Sequence, residues 1–194
     1  MKKGTLFIVS APPGAGKTSL TNFITQSLKK DFNLSKIITY TTRHPRNDEV
    51  PGVDYHFVTL TEFEQKKNSG FFLETNEYNG NFYGSPRSII NDLEQGKSFF
   101  LVVDRSGAKN IKILIENPTL IWLTVPSIQT LQKRMEKRCS ETQLDLRARL
   151  SLAQKEMLDE ASDPAFTYHV CNDNFEQAAH EIINIIKKEL TSTR

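Results

Sequence analysis

The chain has 194 residues, of which 38% are hydrophobic and 25% charged, and its formal net charge is +2. This length suits one well-packed core with one or two small inserted lobes, and the composition is ordinary for a soluble globular protein. The weak positive charge does not argue for a nucleic-acid partner, and no apolar stretch approaches the roughly 18 residues that a membrane span requires.

The N-terminal residues and the cysteines favour a cytoplasmic protein. The chain enters an apolar segment within a few residues and lacks the layout of a signal peptide. Its two cysteines, Cys139 and Cys171, are far apart and do not form a metal-spaced pair. Reduced thiols are the simplest interpretation, although one disulfide stays open at this point.

The first predicted elements are a strand, a turn rich in glycine and proline, and a helix. Residues 5–10 (TLFIVS) are apolar and β-branched, as a buried strand would be. After the turn, Leu20, Phe23, Ile24 and Leu28 recur at helical spacing. This order of elements typically opens a parallel α/β sheet.

A segment of different composition follows. Residues 36–85 are rich in Thr, Tyr, Phe, Asn and Gly, and predict a small inserted lobe of short strands with a helix near 60–68. We expect a helix from Pro86 to about Gln95, because proline suits a first turn and Gly96 suits a helix end.

The remaining sequence predicts a return to the core sheet. Residues 98–104 (SFFLVVD) and 119–125 (TLIWLTV) are continuous apolar runs, as in strands covered on both faces. The other predicted elements are a helix at 107–116, two helices within 127–160 that break near 139–142, a strand at 167–171 and a last helix from Phe175 to Leu190.

The turn after the first strand carries most of a phosphate-binding pattern. Residues 11–18 (APPGAGKT) match GxxxxGK[ST] except that Ala11 replaces the first glycine. Glycines let backbone N–H groups approach phosphate oxygens, and the following helix directs its positive end at them. In this arrangement Lys17 reaches the β- and γ-phosphates, and the Thr18 hydroxyl can bind Mg²⁺.

A polar cluster in the inserted segment suggests a second nucleotide site. Arg43 and Arg46 lie three residues apart on one loop and can grip a phosphate through forked hydrogen bonds. The Glu74 carboxylate could accept the paired N–H donors of guanine, which adenine lacks. A solvated loop with ordinary surface arginines is the alternative. The other polar candidates are Thr39, Tyr55, Tyr83, Ser85 and Asp104.

Four segments together resemble guanylate kinase: SAPPGAGKTSL, TTRHPRNDEVPGVDYHFV, FLETNEYNGNFYGS and RARLSLAQKEM. The resemblance extends from about Thr5 to Ile186, and the second segment is the most specific. It implies an α/β fold: a P-loop core whose parallel sheet is flanked by helices, a mixed α+β lobe that binds GMP, and a helical lid. The implied boundaries are 1–35, 86–126 and 161–194 for the core, 36–85 for the lobe and 127–160 for the lid, all within one domain at about 4–187.

The resemblance also implies the site residues of a kinase that transfers phosphate from ATP to GMP with Mg²⁺. GMP would contact Thr39, Arg43, Arg46, Glu49, Tyr55, Glu74, Tyr83, Ser85 and Asp104. ATP would contact Ala11, Pro12, Pro13, Gly14, Ala15, Gly16, Lys17, Thr18, Ser19 and Asn172. The catalytic set would be Lys17, Arg43 and the lid arginines Arg134, Arg138 and Arg149, with Thr18 as the metal ligand.

The sequence departs from the family pattern in a few places. The family has two acids in a D-x-D pattern where this chain has Val102 and Asp104, and a glutamine where it has Ser106. If the first acid helps to hold Mg²⁺ or water, this chain must do so differently. Thr39 stands where serine is common, and Pro13 removes one N–H donor from the loop.

Three other functions remain open from the sequence. A kinase for another small molecule would share the P-loop, but Glu74 and the arginine loop favour GMP, with dGMP as an open case. A peptide-binding scaffold is disfavoured by the intact Gly16, Lys17 and Thr18. An RNA-binding module would need basic patches interleaved with aromatic residues. We therefore expect ATP and GMP as partners, without nucleic acid or membrane, and a monomer or small homo-oligomer.

Overall fold

A computed structural model describes residues 3–32, 34–46, 49–137 and 143–192. Within these ranges the chain forms two sheets with helices around them. In chain order the elements are β1 (Leu6–Ser10), α1 (Lys17–Phe32), β2 (Leu34–Lys36), β3 (Thr39–Thr41), β4 (Tyr55–Phe57), α2 (Leu60–Asn68), β5 (Phe72–Tyr78), β6 (Asn81–Pro86), α3 (Ile89–Glu94), β7 (Ser98–Val102), α4 (Arg105–Leu114), β8 (Thr119–Thr124), α5 (Ile128–Glu136), α6 (Gln143–Ser162), β9 (Tyr168–Cys171) and α7 (Phe175–Ser192).

The first sheet is parallel, with strand order β2-β7-β1-β8-β9. Its central strand β1 is fully buried, as expected of a strand that is covered on both faces. Val9 of β1 is in register with Val102 of β7. The loops after these two strands therefore leave the same edge of the sheet, where ligands of parallel α/β sheets bind.

Alternation along β1 divides the core into two layers. Phe7 and Val9 pack on one side of the sheet in a cluster that includes Ile24 of α1. Leu6 and Ile8 point to the other side, into a cluster with Ile111 and Trp122. The predicted α/β fold with a parallel sheet flanked by helices is thus confirmed.

The second sheet is mixed, with order β4-β3-β6-β5, and forms the predicted small lobe. Strands β5 and β6 pair as a hairpin whose turn contains Asn79 and Gly80, both at positive φ. Such a turn matches the twist of the flanking strands. Alternate residues of β5, from Glu74 through Asn76 to Tyr78, line one cavity.

Several element bounds differ from the sequence prediction. Pro86 does not begin a helix, because it ends β6 opposite Phe72, and α3 starts only at Ile89. The helix expected at 107–116 instead begins at Arg105, because the Asp104 side chain accepts a hydrogen bond from the Gly107 backbone N–H and caps it.

Two elements cross the predicted boundaries between core, lobe and lid, and those boundaries stay predictions. The short strand β2 was not predicted, since its sequence LSK is polar, and it spans the expected lobe boundary after residue 35. Helix α6 continues to Ser162, past the expected end of the lid at 160. The helix break expected at 139–142 lies outside the described residues. No helix in the described ranges is long and apolar enough to cross a membrane.

Candidate active site

A cavity of about 380 Å³ opens at the edge of the parallel sheet that carries the loop after β1. Its walls come from this loop, from the mixed sheet and from α6. The three expected parts of the protein, core, lobe and lid, therefore meet around one cavity.

The phosphate-binding loop supplies one wall. Residues 12–18 line the cavity, whereas Ala11 is buried and Ser19 is exposed outside it. Gly14 and Gly16 have φ angles of 82° and 90°, which a side chain would strain. In the described chain, only Asn79 and Asn117 combine a side chain with positive φ. Ala11 therefore has an ordinary backbone conformation, and the missing first glycine causes no strain.

Lys17 is folded back against its own loop. Its Nζ donates to the carbonyl oxygen of Ala11. Burial lowers the pKa of Lys17, while the carboxylates of Glu156 and Asp104 act in the opposite direction. Lys17 also lines the cavity, in reach of a phosphate that enters it.

Asn172 contacts the phosphate-binding loop on the side away from the cavity lining. Its Nδ2 donates to the carbonyl oxygen of Ala15 over 2.7 Å, and a methyl group added to Gly16 would stand 2.6 Å from the same nitrogen. Asn172 is buried and does not line the cavity. The structure therefore gives it a loop-bracing position, and an adenine contact stays a prediction.

The arginine loop forms the opposite wall, where Arg43 and Arg46 both reach the cavity. Arg43 Nη2 donates to the two Glu49 carboxylate oxygens at 2.8 and 2.9 Å, and the Arg46 backbone N–H donates to one of them at 2.9 Å. Burial would raise the pKa of Glu49, but the hydrogen bond from Arg43 holds it below its usual value. Glu49 thus braces both arginines from outside the cavity.

Two tyrosines complete this wall. The Arg43 guanidinium lies 5.5 Å from the ring centre of Tyr55, and Tyr55 meets Tyr83 edge to face at 6.1 Å. Burial raises the pKa of Tyr55 to about 12, so its hydroxyl stays protonated and can donate. Arginines and phenols together offer several donors to one anion.

A carboxyl pocket lies between the two walls. Ser85 Oγ donates to Glu74 Oε1 over 2.8 Å, whereas Glu74 Oε2 is buried and has no partner within the described residues. Burial raises the pKa of Glu74 to about 7, and the negative charge of Asp104 adds to this. Thr39 is buried nearby and also lines the cavity. Glu74 Oε2 can therefore accept a hydrogen bond from an N–H group of a ligand in the cavity.

Sequence reasoning missed Asn76, Tyr78 and Glu156. Asn76 Nδ2 donates to both Asp104 oxygens at 2.9 Å and so fixes that carboxylate. The Tyr78 hydroxyl forms a hydrogen bond with Glu156. The signal was present, since Asn76 and Tyr78 follow Glu74 at strand spacing and Glu156 follows Arg149 by two helical turns.

The lid arginines occupy different environments. Arg149 of α6 lines the cavity. Arg134 of α5 is not among the lining residues, and its Nη2 donates to the backbone carbonyls of Asn172 and Asp173 at 2.8 and 3.5 Å. Arg138 lies outside the described residues.

The site suits Mg²⁺ held mainly by substrate. Thr18 lines the cavity, but no group of three or more His, Cys, Asp or Glu side chains within the described ranges could hold a metal. Mg²⁺ binds through few protein oxygens and keeps water and phosphate ligands in kinase sites. The donors present therefore fit this ion, with Val102 in place of a second acid.

The chain is similar to proteins of one family over nearly its whole length. The family model described as guanylate kinase matches residues 3–189. A guanylate kinase from Nitrosospira multiformis is 37% identical over 191 residues, covering 98% of this chain and 88% of the relative. One from Bdellovibrio bacteriovorus is 37% identical over 186 residues, covering 95% and 97%.

A solved structure agrees with the sequence relatives. The crystal structure of guanylate kinase from Anaplasma phagocytophilum matches with a TM-score of 0.77 and 29% identity, covering 97% of this chain and 87% of that one. The chain therefore belongs to the guanylate kinase family.

Proposed function

We propose that this protein transfers the γ-phosphate of ATP directly to GMP, giving ADP and GDP, in purine nucleotide metabolism and GMP recycling. The observation that carries this proposal is the buried, unpartnered oxygen of Glu74, which shares one cavity with a phosphate-binding loop and two arginines. These features support a selective base site and two phosphate sites around one cavity.

The acceptor nucleotide binds on the lobe side of the cavity. Arg43, Arg46, Tyr55 and Tyr83 hold its phosphate, and Glu49 keeps the arginines in place. The Glu74 carboxylate accepts the two neighbouring N–H donors of guanine, while its hydrogen bond from Ser85 limits its movement. Thr39 and Asp104 lie beside this pocket, and adenine offers it no matching donor pair.

The donor nucleotide binds on the core side. The backbone N–H groups from Gly14 to Thr18 surround its phosphates at the N-terminus of α1. Mg²⁺, held by Thr18 and the phosphates, would neutralise charge on the β- and γ-phosphates. Lys17 and Arg149 then stabilise the charge that develops on the transferring group.

Transfer occurs in one displacement. A phosphate oxygen of GMP forms a bond to the γ-phosphorus, and the bond from that phosphorus to the bridging oxygen of ADP breaks. The residues named position the two oxygens and offset charge, so no covalent enzyme intermediate is needed. Closure of α6 over the cavity would exclude water as a competing acceptor.

The proposal also covers the compartment, the oligomeric state and the partners of the protein. We propose that the protein acts in the cytoplasm as a monomer or small homo-oligomer. Its partners are the small molecules ATP and GMP, with dGMP an acceptor to be tested. The weak net charge of +2 supports the expectation that it has no nucleic-acid partner.

A coupled assay tests this function. MgATP is the donor, and GMP, dGMP, AMP, CMP, UMP and dTMP are offered separately as acceptors. We expect turnover with guanine nucleotides alone, and none with Lys17→Ala. The control is Lys155→Ala, which alters an exposed lysine of α6 and should keep wild-type turnover.

The other outcomes would each overturn part of the proposal. Turnover with a different acceptor would leave phosphoryl transfer intact but remove Glu74 as the guanine selector. Normal turnover by Lys17→Ala would remove the P-loop assignment. No turnover with any acceptor would favour a sugar-phosphate substrate or a scaffold that binds peptides.

A further inference from the structure

Glu156 of α6 is a buried acid that the proposed reaction does not use. Its side chain is only 7% exposed, and its Oε2 has no hydrogen-bond partner in the part of the chain that the structure describes. Buried carboxylate oxygens are normally hydrogen-bonded, because desolvation without a partner costs free energy. The position of this oxygen therefore needs a functional explanation.

Glu156 lies where the three parts of the protein meet. Lys17 belongs to the P-loop, Tyr78 ends strand β5 of the lobe, and Glu156 is on the lid helix α6. The Tyr78 hydroxyl and the Glu156 carboxyl share a hydrogen bond. Burial, together with the charge of Glu156, raises the pKa of Tyr78, so the phenol stays protonated and acts as the donor.

Lys17 lines the same cavity as Arg149 and Leu152, which lie seven and four residues before Glu156 on one face of α6. The negative charge of Glu156 acts on Lys17, although the polar atoms of the two side chains are not in hydrogen-bond contact. A lysine ammonium has three N–H donors, and one already reaches the Ala11 carbonyl oxygen. Two donors remain, one for the nucleotide phosphate and one for a carboxylate on the other side.

We propose that Glu156 is a positioning residue for Lys17. Once the nucleotide phosphates are bound, its carboxylate accepts one N–H of the ammonium and holds Nζ toward the phosphates, and the hydroxyl of Tyr78 keeps the carboxylate in place. This inference rests on the proposed function, in which Lys17 acts on the ATP phosphates. It also links the lid and the lobe to the P-loop, since Glu156 can make both contacts only when all three parts are close together.

The charge on Glu156 sets the conditions of the test. Burial raises the pKa of Glu156 to about 7; Asp104 and Asp159 act in the same direction, whereas Lys17 and the Tyr78 hydrogen bond oppose it. Measurements are therefore made at about pH 8.5, where the carboxyl is ionised.

The first test measures binding of the non-transferable analogue AMP-PNP by calorimetry. Glu156→Gln keeps the size of the side chain and an acceptor for Tyr78 but removes the charge beside Lys17. We expect affinity to fall about fivefold or more in the wild-type background. In a Lys17→Met background the same change should leave affinity unchanged or raise it, because the carboxylate then only repels the phosphates.

The two backgrounds separate positioning from local packing. An equal loss of affinity with and without Lys17 would overturn the proposal, as would no loss in the wild-type background. Because no GMP is present, this result holds whether or not GMP proves to be the acceptor. A failure of the proposed function would appear separately, in the acceptor assay of the wild-type protein.

The second test uses steady-state kinetics and a matched pair elsewhere in the molecule. The Tyr168 hydroxyl donates a hydrogen bond to Glu189 over 2.5 Å. This pair has the same donor and acceptor types as Tyr78 and Glu156 but lies away from the cavity. We expect Glu156→Gln to lower kcat about tenfold with KM for GMP changed less than about twofold, and Tyr78→Phe to lower kcat less. Tyr168→Phe and Glu189→Gln should retain wild-type kcat.

The double variant Tyr78→Phe, Glu156→Gln tests whether Tyr78 acts only through Glu156. If Tyr78 acts only by holding Glu156, Tyr78→Phe should cause no further loss of kcat once Glu156→Gln is present. Additive losses would remove Tyr78 from the proposal. A wild-type kcat for Glu156→Gln would overturn the proposal entirely.

Discussion

The Glu74 carboxyl shows how a single residue can combine selection with sensitivity to pH. Burial raises the pKa of Glu74 to about 7, and the nearby Asp104 adds to the rise while Ser85 opposes it. The two N–H donors of guanine require the ionised form, because a protonated carboxyl presents a donor of its own. In the proposed function, binding of guanine therefore competes with protonation of Glu74 near neutral pH.

We expect KM for GMP to rise about tenfold between pH 8 and pH 6, because the ionised fraction of a group with this pKa falls by about that factor. Steady-state kinetics at saturating MgATP would measure it. Glu74→Gln should show a higher KM at pH 8, a weaker preference for GMP over AMP, and little further change at pH 6.

Comparison with this variant also corrects for the substrate, since the phosphate of GMP titrates near pH 6 in both proteins. If wild type and Glu74→Gln have the same pH dependence of KM, the Glu74 carboxyl is not the group that titrates. The KM for ATP serves as an internal control, because Glu74 lies in the proposed acceptor pocket and not in the proposed ATP site.

At the scale of elements, α4 and α6 are joined by a buried ion pair. Arg105, the first residue of α4, donates through Nε to Glu160 Oε2 over 2.8 Å. Glu160 is only 3% exposed and also accepts from the backbone N–H groups of Ala165 and Phe166. This contact fixes the C-terminal end of the lid helix to the helix that Asp104 caps.

Arg105→Ala should therefore lower the free energy of unfolding by about 3 kcal/mol, because it removes the guanidinium partner of the buried Glu160 and leaves only His169 and two backbone N–H groups in contact with it. Urea denaturation would measure the change. The matched control is Lys109→Ala, which breaks the exposed pair of Lys109 with Asp163 and should cost at most about 1 kcal/mol. Equal effects of the two substitutions would show that the Arg105 pair is not a significant anchor.

The elements that the sequence predicted well have local causes. The strand–loop–helix unit around Lys17 follows from an apolar run, glycines and a helical repeat that all lie within a short segment. Strand β2 escaped prediction because its place comes from pairing with the distant strand β7, not from its polar sequence. Phe23 shares helical spacing with the buried Leu20 and Ile24, yet it is 43% exposed and packs edge to face on Phe175.

The same distinction applies to the site. Motif resemblance supplied residues such as Arg43 and Glu74, whose roles remain predictions. The segments that carry the resemblance contain Asn76 and Glu156 but did not single them out, because each acts through a partner far away in the chain, Asp104 and Lys17 respectively. Such contacts depend on how β5 and α6 pack against the core, and their strand and helix spacing identifies them only once the partner elements are in place.

At the scale of the whole molecule, two buried carboxyls at the site lower the stability of the fold. Glu74 and Glu156 are both at least nine-tenths buried, each has one oxygen without a partner in the described chain, and burial raises the pKa of each to about 7. A buried carboxyl without a partner ionises less easily in the folded protein than in the unfolded chain, so its ionisation lowers the stability of the fold. The fold therefore holds two unfavourable charges, of which a guanine base would compensate that of Glu74 and Lys17 that of Glu156 under the two proposals above.

The sign of the resulting pH dependence follows from proton binding. The ordinary pKa of a glutamate is 4.5, and in the folded protein these two have pKa values of about 7. Between these values the folded state binds more protons than the unfolded state, so each carboxyl lowers stability as pH rises through that window. For each carboxyl the loss should approach roughly 3 kcal/mol above pH 8.

Glu74→Gln and Glu156→Gln, examined singly, should thus be more stable than wild type at pH 8.5 and about equal to it at pH 4.5. Urea denaturation at both pH values would measure this, and the difference from wild type removes the titration of all other groups. Glu189→Gln is the control for the loss of one acid far from the cavity, and it should show no such gain. A loss of stability in both variants at pH 8.5 would show that the two carboxylates already have stabilising partners within the fold. Neither would then be free to accept hydrogen bonds from guanine or from Lys17, as the two proposals require.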